Sequence, residues 1–191
     1  SILDSGEVAT LRPAGNPEYY VPAIMRAIGT LKQENITPDG MSELIASQEA
    51  ALTATPKIHE KGAHKGKVRG EYLTLEKQIT KNQALQAVYR QYQAGLKAAR
   101  RFDFDDMLVA VVAALTEHED MRYDLQETYQ YVLADEHQDI NGVQNKLIET
   151  LVDFHDQPNV FAVGDEKQAI YRFQGASLEN FLRFADVFPG T

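Results

Sequence analysis

Two stretches decide the fold: Tyr131-Val132-Leu133-Ala134-Asp135-Glu136-His137-Gln138-Asp139 and Asn159-Val160-Phe161-Ala162-Val163-Gly164-Asp165. Each is a short apolar run that ends abruptly in acids. Runs of this length, bounded by turn formers such as Pro158 and Gly164, read as buried β-strands. Between them, residues 142–154 have a helical pattern. A helix of about a dozen residues joining two strands fits one right-handed crossover, so the strands are expected to lie parallel. The predicted class is therefore α/β for this part of the chain. Ligands in open α/β sheets sit beyond the carboxyl ends of the strands, which is where both acidic clusters fall.

Upstream the pattern is helical. Residues 1–20 hold the turn formers Pro13, Gly15, Asn16 and Pro17 and no periodicity. Ile24, Ile28 and Leu31 predict a helix over residues 21–35. Thr37 followed by Pro38 reads as a cap with proline at the first helical position, leading into Met41, Leu44 and Ile45. Leu85, Val88, Tyr89, Tyr92 and Leu96 form one apolar stripe on a long helix over roughly 72–99, a core face. Asp103-Phe104-Asp105-Asp106 precedes the apolar run Met107–Leu115. Acids there satisfy the orphan N–H groups of a first helical turn, and capping is preferred to a catalytic role. A further helix is expected over residues 121–128.

Composition narrows the classes. The chain has 191 residues, 43% hydrophobic and 25% charged, enough for a real core. No apolar run approaches a membrane span, and no signal peptide opens the sequence. Cysteine is absent, which excludes disulfides and thiolate metal sites and fits a reducing cytoplasm. The net charge of −9 is unevenly spread. Residues 1–100 carry 13 Lys and Arg against 10 Asp and Glu, whereas residues 101–191 carry 6 against 18. Two modules with different jobs, or one acidic solvated face, would both give that asymmetry. Residues 57–70, KIHEKGAHKGKVRG, read as a flexible basic loop, either a solvated linker or a contact to phosphate backbone.

The strand ends carry the chemistry. An apolar strand followed by Asp135-Glu136 is a Walker B arrangement. One carboxylate holds Mg²⁺ of a nucleotide through hard oxygen ligands, and the next group orients or deprotonates the attacking water. Acid pairs after apolar runs are common, so the pair alone is a modest signal. His137 has no partner at metal-ligand spacing and reads as a polar loop contact. After the second strand come Asp165, Gln168, Tyr171, Arg172 and Phe173. Gln168 has the reach and chemistry of a phosphate donor. Tyr171 and Phe173 offer stacking faces for bases and Arg172 a cationic one, but Ile170, Tyr171 and Phe173 would also serve as core.

Taken together, LADEHQDIN and VGDEKQAIYRFQGAS resemble motifs II and III of the UvrD/Rep helicases in order and spacing, and RFDFDDML resembles the segment just upstream. The likeness is sharp over about 101–190 and loose over 1–100. It implies that Asp135 holds Mg²⁺ of MgATP and that Glu136 is the catalytic base. Gln168 would sense the γ-phosphate and link it to DNA, and Tyr171 and Phe173, flanking Arg172, would meet single-stranded bases. Asp165 would tune the metal's surroundings, with Gln138 and Asp139 as structural neighbours. It further implies a mostly helical insert domain over 1–100 and, over 101–191, the C-terminal half of a RecA-like parallel-sheet motor domain. The expected partners are single-stranded DNA, single-strand/duplex junctions and the remainder of a helicase chain moving 3′ to 5′.

The sequence departs from that family at Gln174, where Arg is usual, at His137, where Phe is common, and at Ala169, where Ser is common. Lys167-Gln168-Ala169-Ile170-Tyr171 is also similar to the helicase subunits of recombination nucleases, so the subfamily stays open. No phosphate-binding loop of the form GxxxxGK[ST] occurs. Gly62-Ala63-His64-Lys65-Gly66-Lys67-Val68 is one residue short between its glycines and ends without a hydroxyl. The chain is therefore expected to be an internal piece of an ATP-dependent DNA helicase and inactive by itself. A non-catalytic nucleic-acid or partner-binding module, and a metal-dependent hydrolase built on Asp135, Glu136 and Asp165, are the alternatives.

Overall fold

The computed structural model describes residues 19–61, 64–154, 158–165 and 187–188. Helices dominate, in the order α1 (Val21–Gln33), α2 (Gly40–Ala54), α3 (Gly70–Ala98), α4 (Phe104–Glu117) and α5 (Glu119–Thr128), and then β1 (Val132–Ala134), α6 (Gly142–Val152) and β2 (Val160–Ala162). The chain divides into two units. One holds residues 1–28 and 36–101, and the other holds residues 29–35 and 102–191.

The first unit is helical. Ile24 and Ile28 of α1, Met41 and Ile45 of α2, and Ile79, Ala84, Val88 and Tyr89 of α3 are buried. Their spacings of four and five, with Val88 and Tyr89 adjacent, keep one stripe of each helix inside. Helix α2 starts at Gly40 with Asp39 at its N-cap, two residues later than the cap expected at Thr37, whose Oγ1 accepts from the Gly40 amide at 3.1 Å and whose carbonyl accepts from Met41 in the turn that leads in. Polar side chains line the α2–α3 seam, with Gln86 donating to Pro38 O and Ser42 Oγ, Asn82 to Gln48 and Arg90 to Asp39. Helix α3 stops in a double hydrogen-bonded turn, Arg101 N to Leu96 O and Arg100 N to Lys97 O, with Arg100 in the left-handed region at φ 53°.

The basic loop is more ordered in its connections than expected. Ile58 and Val68 pair as an antiparallel bridge, and Gly66 donates to His59 O, His59 to Lys67 O and Arg69 to Lys57 O. Gly66 turns the chain at φ 81°, a conformation glycine adopts without penalty. Lys57, Lys61, Lys65 and Lys67 stay exposed around this small hairpin.

In the second unit, Asp103 caps α4 in a reciprocal box with Asp106. Lys32, from the end of α1, sets its Nζ 2.5 Å from Asp103 and 2.6 Å from Asp106, with its side chain only 1% exposed. Asn141 and Gln144 form a second capping box at the start of α6. Gln126 of α5 is buried and donates to Thr150 O of α6 and to Asp153, the residue at that helix's C-cap.

Strands β1 and β2 are parallel, with Val132 opposite Val160, Leu133 opposite Phe161 and Ala134 opposite Ala162. Val152, Val160 and Phe188 form a core cluster, packed by Val132, Ile148 and Leu151. The expectation of strands buried on both faces needs correction. Leu133 and Phe161, paired on one face, are 76% and 63% exposed. Side chains alternate across a strand, and among the described residues the core cluster packs on the side bearing Val132 and Val160.

Candidate functional site

Both acidic clusters emerge at the same end of the sheet because the strands are parallel and paired in register. Beyond the last paired residues the two exits remain tied. Val163 N donates to Ala134 O at 2.8 Å, and His137 N donates to Val163 O at 2.8 Å.

Asp135 and Glu136 leave β1 at its carboxyl end and are exposed. Asp135 Oδ1 accepts from the Glu136 amide at 2.9 Å. Glu136 itself sits in the left-handed region, φ 49° and ψ 41°. A non-glycine residue pays of order 1–2 kcal/mol for that backbone, so the neighbours must hold it there. They do so from the next residues onward. His137–Asp139 form one 3₁₀ turn, closed by Asp139 N donating to Glu136 O.

Two side chains of that turn point into the protein. His137 is 1% exposed, and its Nε2 lies 3.0 Å from Asn145 Oδ1 on α6. Burial pushes its pKa below the ordinary histidine value, and the Asn145 contact only partly opposes this. The ring is a neutral anchor for the loop, in line with its reading as a polar loop contact. Gln138 is 2% exposed and bridges the two strand ends. Its Nε2 donates to Glu136 Oε2 at 2.6 Å, and its Oε1 accepts from the Asp165 amide at 2.9 Å.

The arrangement brings together Asp135, Glu136, Gln138 and the backbone of Asp165. Gln168, Tyr171, Arg172 and Phe173, with Gln174, lie outside the described residues. Sequence reasoning passed over Gln138 as a structural neighbour. Its signal was available in one respect: a polar residue two places after an exposed carboxylate, in a tight turn, can reach back to it.

The donor set suits Mg²⁺. Among the described residues, no group of three or more His, Cys, Asp or Glu side chains forms a closed metal cage. Asp135 uses one oxygen on a local amide, and no other hydrogen bond or ion pair to its carboxylate occurs among the described residues. Mg²⁺ is commonly held by one or two carboxylates together with phosphate oxygens and water, not by an all-protein cage. No described helix is long and apolar enough to cross a membrane.

Comparison with known proteins gives the family. The pattern of the UvrD/REP helicase N-terminal domain matches residues 20–189. The chain is 31% identical over 166 residues to the ATP-dependent DNA helicase PcrA of Bacillus subtilis, covering 84% of this chain and 20% of that protein. It is 36% identical over 113 residues to the ATP-dependent DNA helicase UvrD1 of Mycobacterium bovis, covering 56% of this chain and 15% of that protein. The chain spans between 13% and 20% of the length of the curated relatives it matches.

Proposed function

The chain belongs to the UvrD/Rep helicase N-terminal domain family, and from that premise we propose that it is the metal- and base-bearing part of an ATP-driven DNA translocase. Residues 1–100 would be the helical insert and residues 101–191 the returning half of the first RecA-like motor domain. The observation that carries the reading is the shared exit of two parallel strands, with Asp135 and Glu136 exposed at one and Asp165 tied to it from the other.

In this reading Asp135 is the protein ligand for Mg²⁺, which when bound would neutralise charge on the nucleotide's terminal phosphates. Glu136 accepts a proton from, or orients, the attacking water. Gln168 reports the terminal phosphate to the segment after it, where Tyr171, Arg172 and Phe173 engage single-stranded DNA by stacking and charge. The relatives named for ATP-dependent DNA helicase activity support ATP as the fuel and DNA as the track. Movement 3′ to 5′ and a preference for single-strand/duplex junctions belong to the same proposal.

The chain has no GxxxxGK[ST] sequence, so it lacks backbone amides and a lysine to cradle the phosphates. The test is ATP hydrolysis, with and without single-stranded DNA, by this chain and by the longer protein that carries it. The proposal expects DNA-stimulated turnover by the longer protein and none by residues 1–191 alone. A longer protein that binds DNA but never turns over ATP would leave a binding module in place of a motor.

A further inference from the structure

We propose that Gln138 is a positioning residue: it holds the Glu136 carboxylate and ties that placement to the end of β2. The inference rests on the reading of Glu136 as the base and deepens it.

Glu136 is exposed and has three side-chain torsions, so an unheld carboxylate would sample many positions. Among the described residues Gln138 supplies the one side-chain hydrogen bond to it, at 2.6 Å. Gln138 is 2% exposed, so its own side chain is fixed by packing. The amide has one orientation that works. Its NH₂ end faces a carboxylate, an acceptor, and its oxygen faces the Asp165 N–H, a donor at 2.9 Å. Flipping the amide would turn both contacts repulsive. A neutral donor steadies the carboxylate without cancelling the charge a base needs, which Lys or Arg would do. The left-handed backbone at Glu136 completes the hold by folding the carboxylate back over the turn that carries Gln138.

The second bond gives the tie. Asp165 begins the segment that runs on to Gln168 and Tyr171, and its amide is anchored by the same side chain that holds Glu136. Any displacement of the β2 exit is therefore felt at the carboxylate through one amide group.

Two substitutions in the full-length protein separate the bonds. Gln138→Leu removes both. Gln138→Glu keeps an acceptor for the Asp165 amide but faces Glu136 with a carboxylate. Both are expected to lower kcat for DNA-stimulated ATP hydrolysis by about 10–100-fold, the scale of a small misplacement of a reacting group. KM for ATP and nucleotide affinity should stay within about twofold, since ground-state binding does not use Glu136. In the Glu136→Gln background, Gln138→Leu should cost nothing more. A readout independent of turnover is amide exchange at Asp165 in the nucleotide-free protein, faster in Gln138→Leu and unchanged in Gln138→Glu. Wild-type kcat in either variant, or a full additive loss on top of Glu136→Gln, overturns the inference while the reading of Glu136 stands. Hydrolysis that survives Glu136→Gln removes both together.

Discussion

The two units use polar groups in opposite ways. In the first, polar side chains line the exposed edge of a helical core, as Gln86, Arg90 and Asn82 do along the α2–α3 seam, and the buried set is aliphatic and aromatic. In the second, Lys32, Gln126, His137, Gln138, Asn141 and Thr150 are all buried. Five of these belong to caps, inter-helix ties or the strand-end turn, and only Thr150 closes on its own helix. Buried polar groups cost several kcal/mol each if unpaired, so a fold keeps them where they fix a geometry. The second unit uses two of them, His137 and Gln138, in the turn that follows Asp135 and Glu136, and Lys32, Gln126 and Asn141 at helix caps and between helices.

That contrast can be broken at specific residues. The largest effect on stability is expected at Lys32. Lys32→Met leaves the Asp103 and Asp106 carboxylates facing each other without their cation and should destabilise the second unit by about 2–4 kcal/mol, less than a fully enclosed pair because Asp103 is partly solvated. Hydrogen exchange across the whole chain checks it: protection should fall in residues 102–154 and hold in α2 and α3. An even loss across both units would erase the distinction drawn between them.

Gly142→Ala comes next. A Cβ there would lie 2.6 Å from Glu34 Oε2 and 3.1 Å from the Glu34 Cα. The side chain can swing away but the backbone cannot, so a cost of about 1–3 kcal/mol is expected from chemical denaturation. The smallest effect belongs to the first unit's hairpin. Replacing the exposed Lys61, Lys65 and Lys67 by Ala should shift stability by under about 0.5 kcal/mol each, read from the same denaturation curves. A large loss there would mean that these cations carry structure as well as charge.

Much of this is legible in the sequence. Asp103 ahead of an apolar run announced a cap, and the cap is present with Asp106 as its partner. The runs at 131–134 and 159–163 announced parallel strands, and they pair in parallel. The rest was hidden for physical reasons. Lys32 meets Asp103 across 71 residues, and no local pattern encodes such a pairing. The left-handed backbone at Glu136 was invisible because the residue is not Gly, Asn or Asp, the types that advertise it. Gln138 became meaningful only once the end of β2 was known to lie beside it. The open face at Leu133 and Phe161 escaped notice because a continuous apolar run reads the same whether one face or both are covered.

The central claim is that Glu136 acts in the chemical step and not in holding the nucleotide. The most direct measurement is single-turnover ATP hydrolysis by the full-length protein and its Glu136→Gln variant, with nucleotide affinity measured alongside. Affinity is expected to stay within about threefold of wild type while the hydrolysis rate falls by at least about 100-fold, the scale of losing a general base. A variant that hydrolyses ATP at the wild-type rate, or one that fails only because it no longer binds nucleotide, would contradict it.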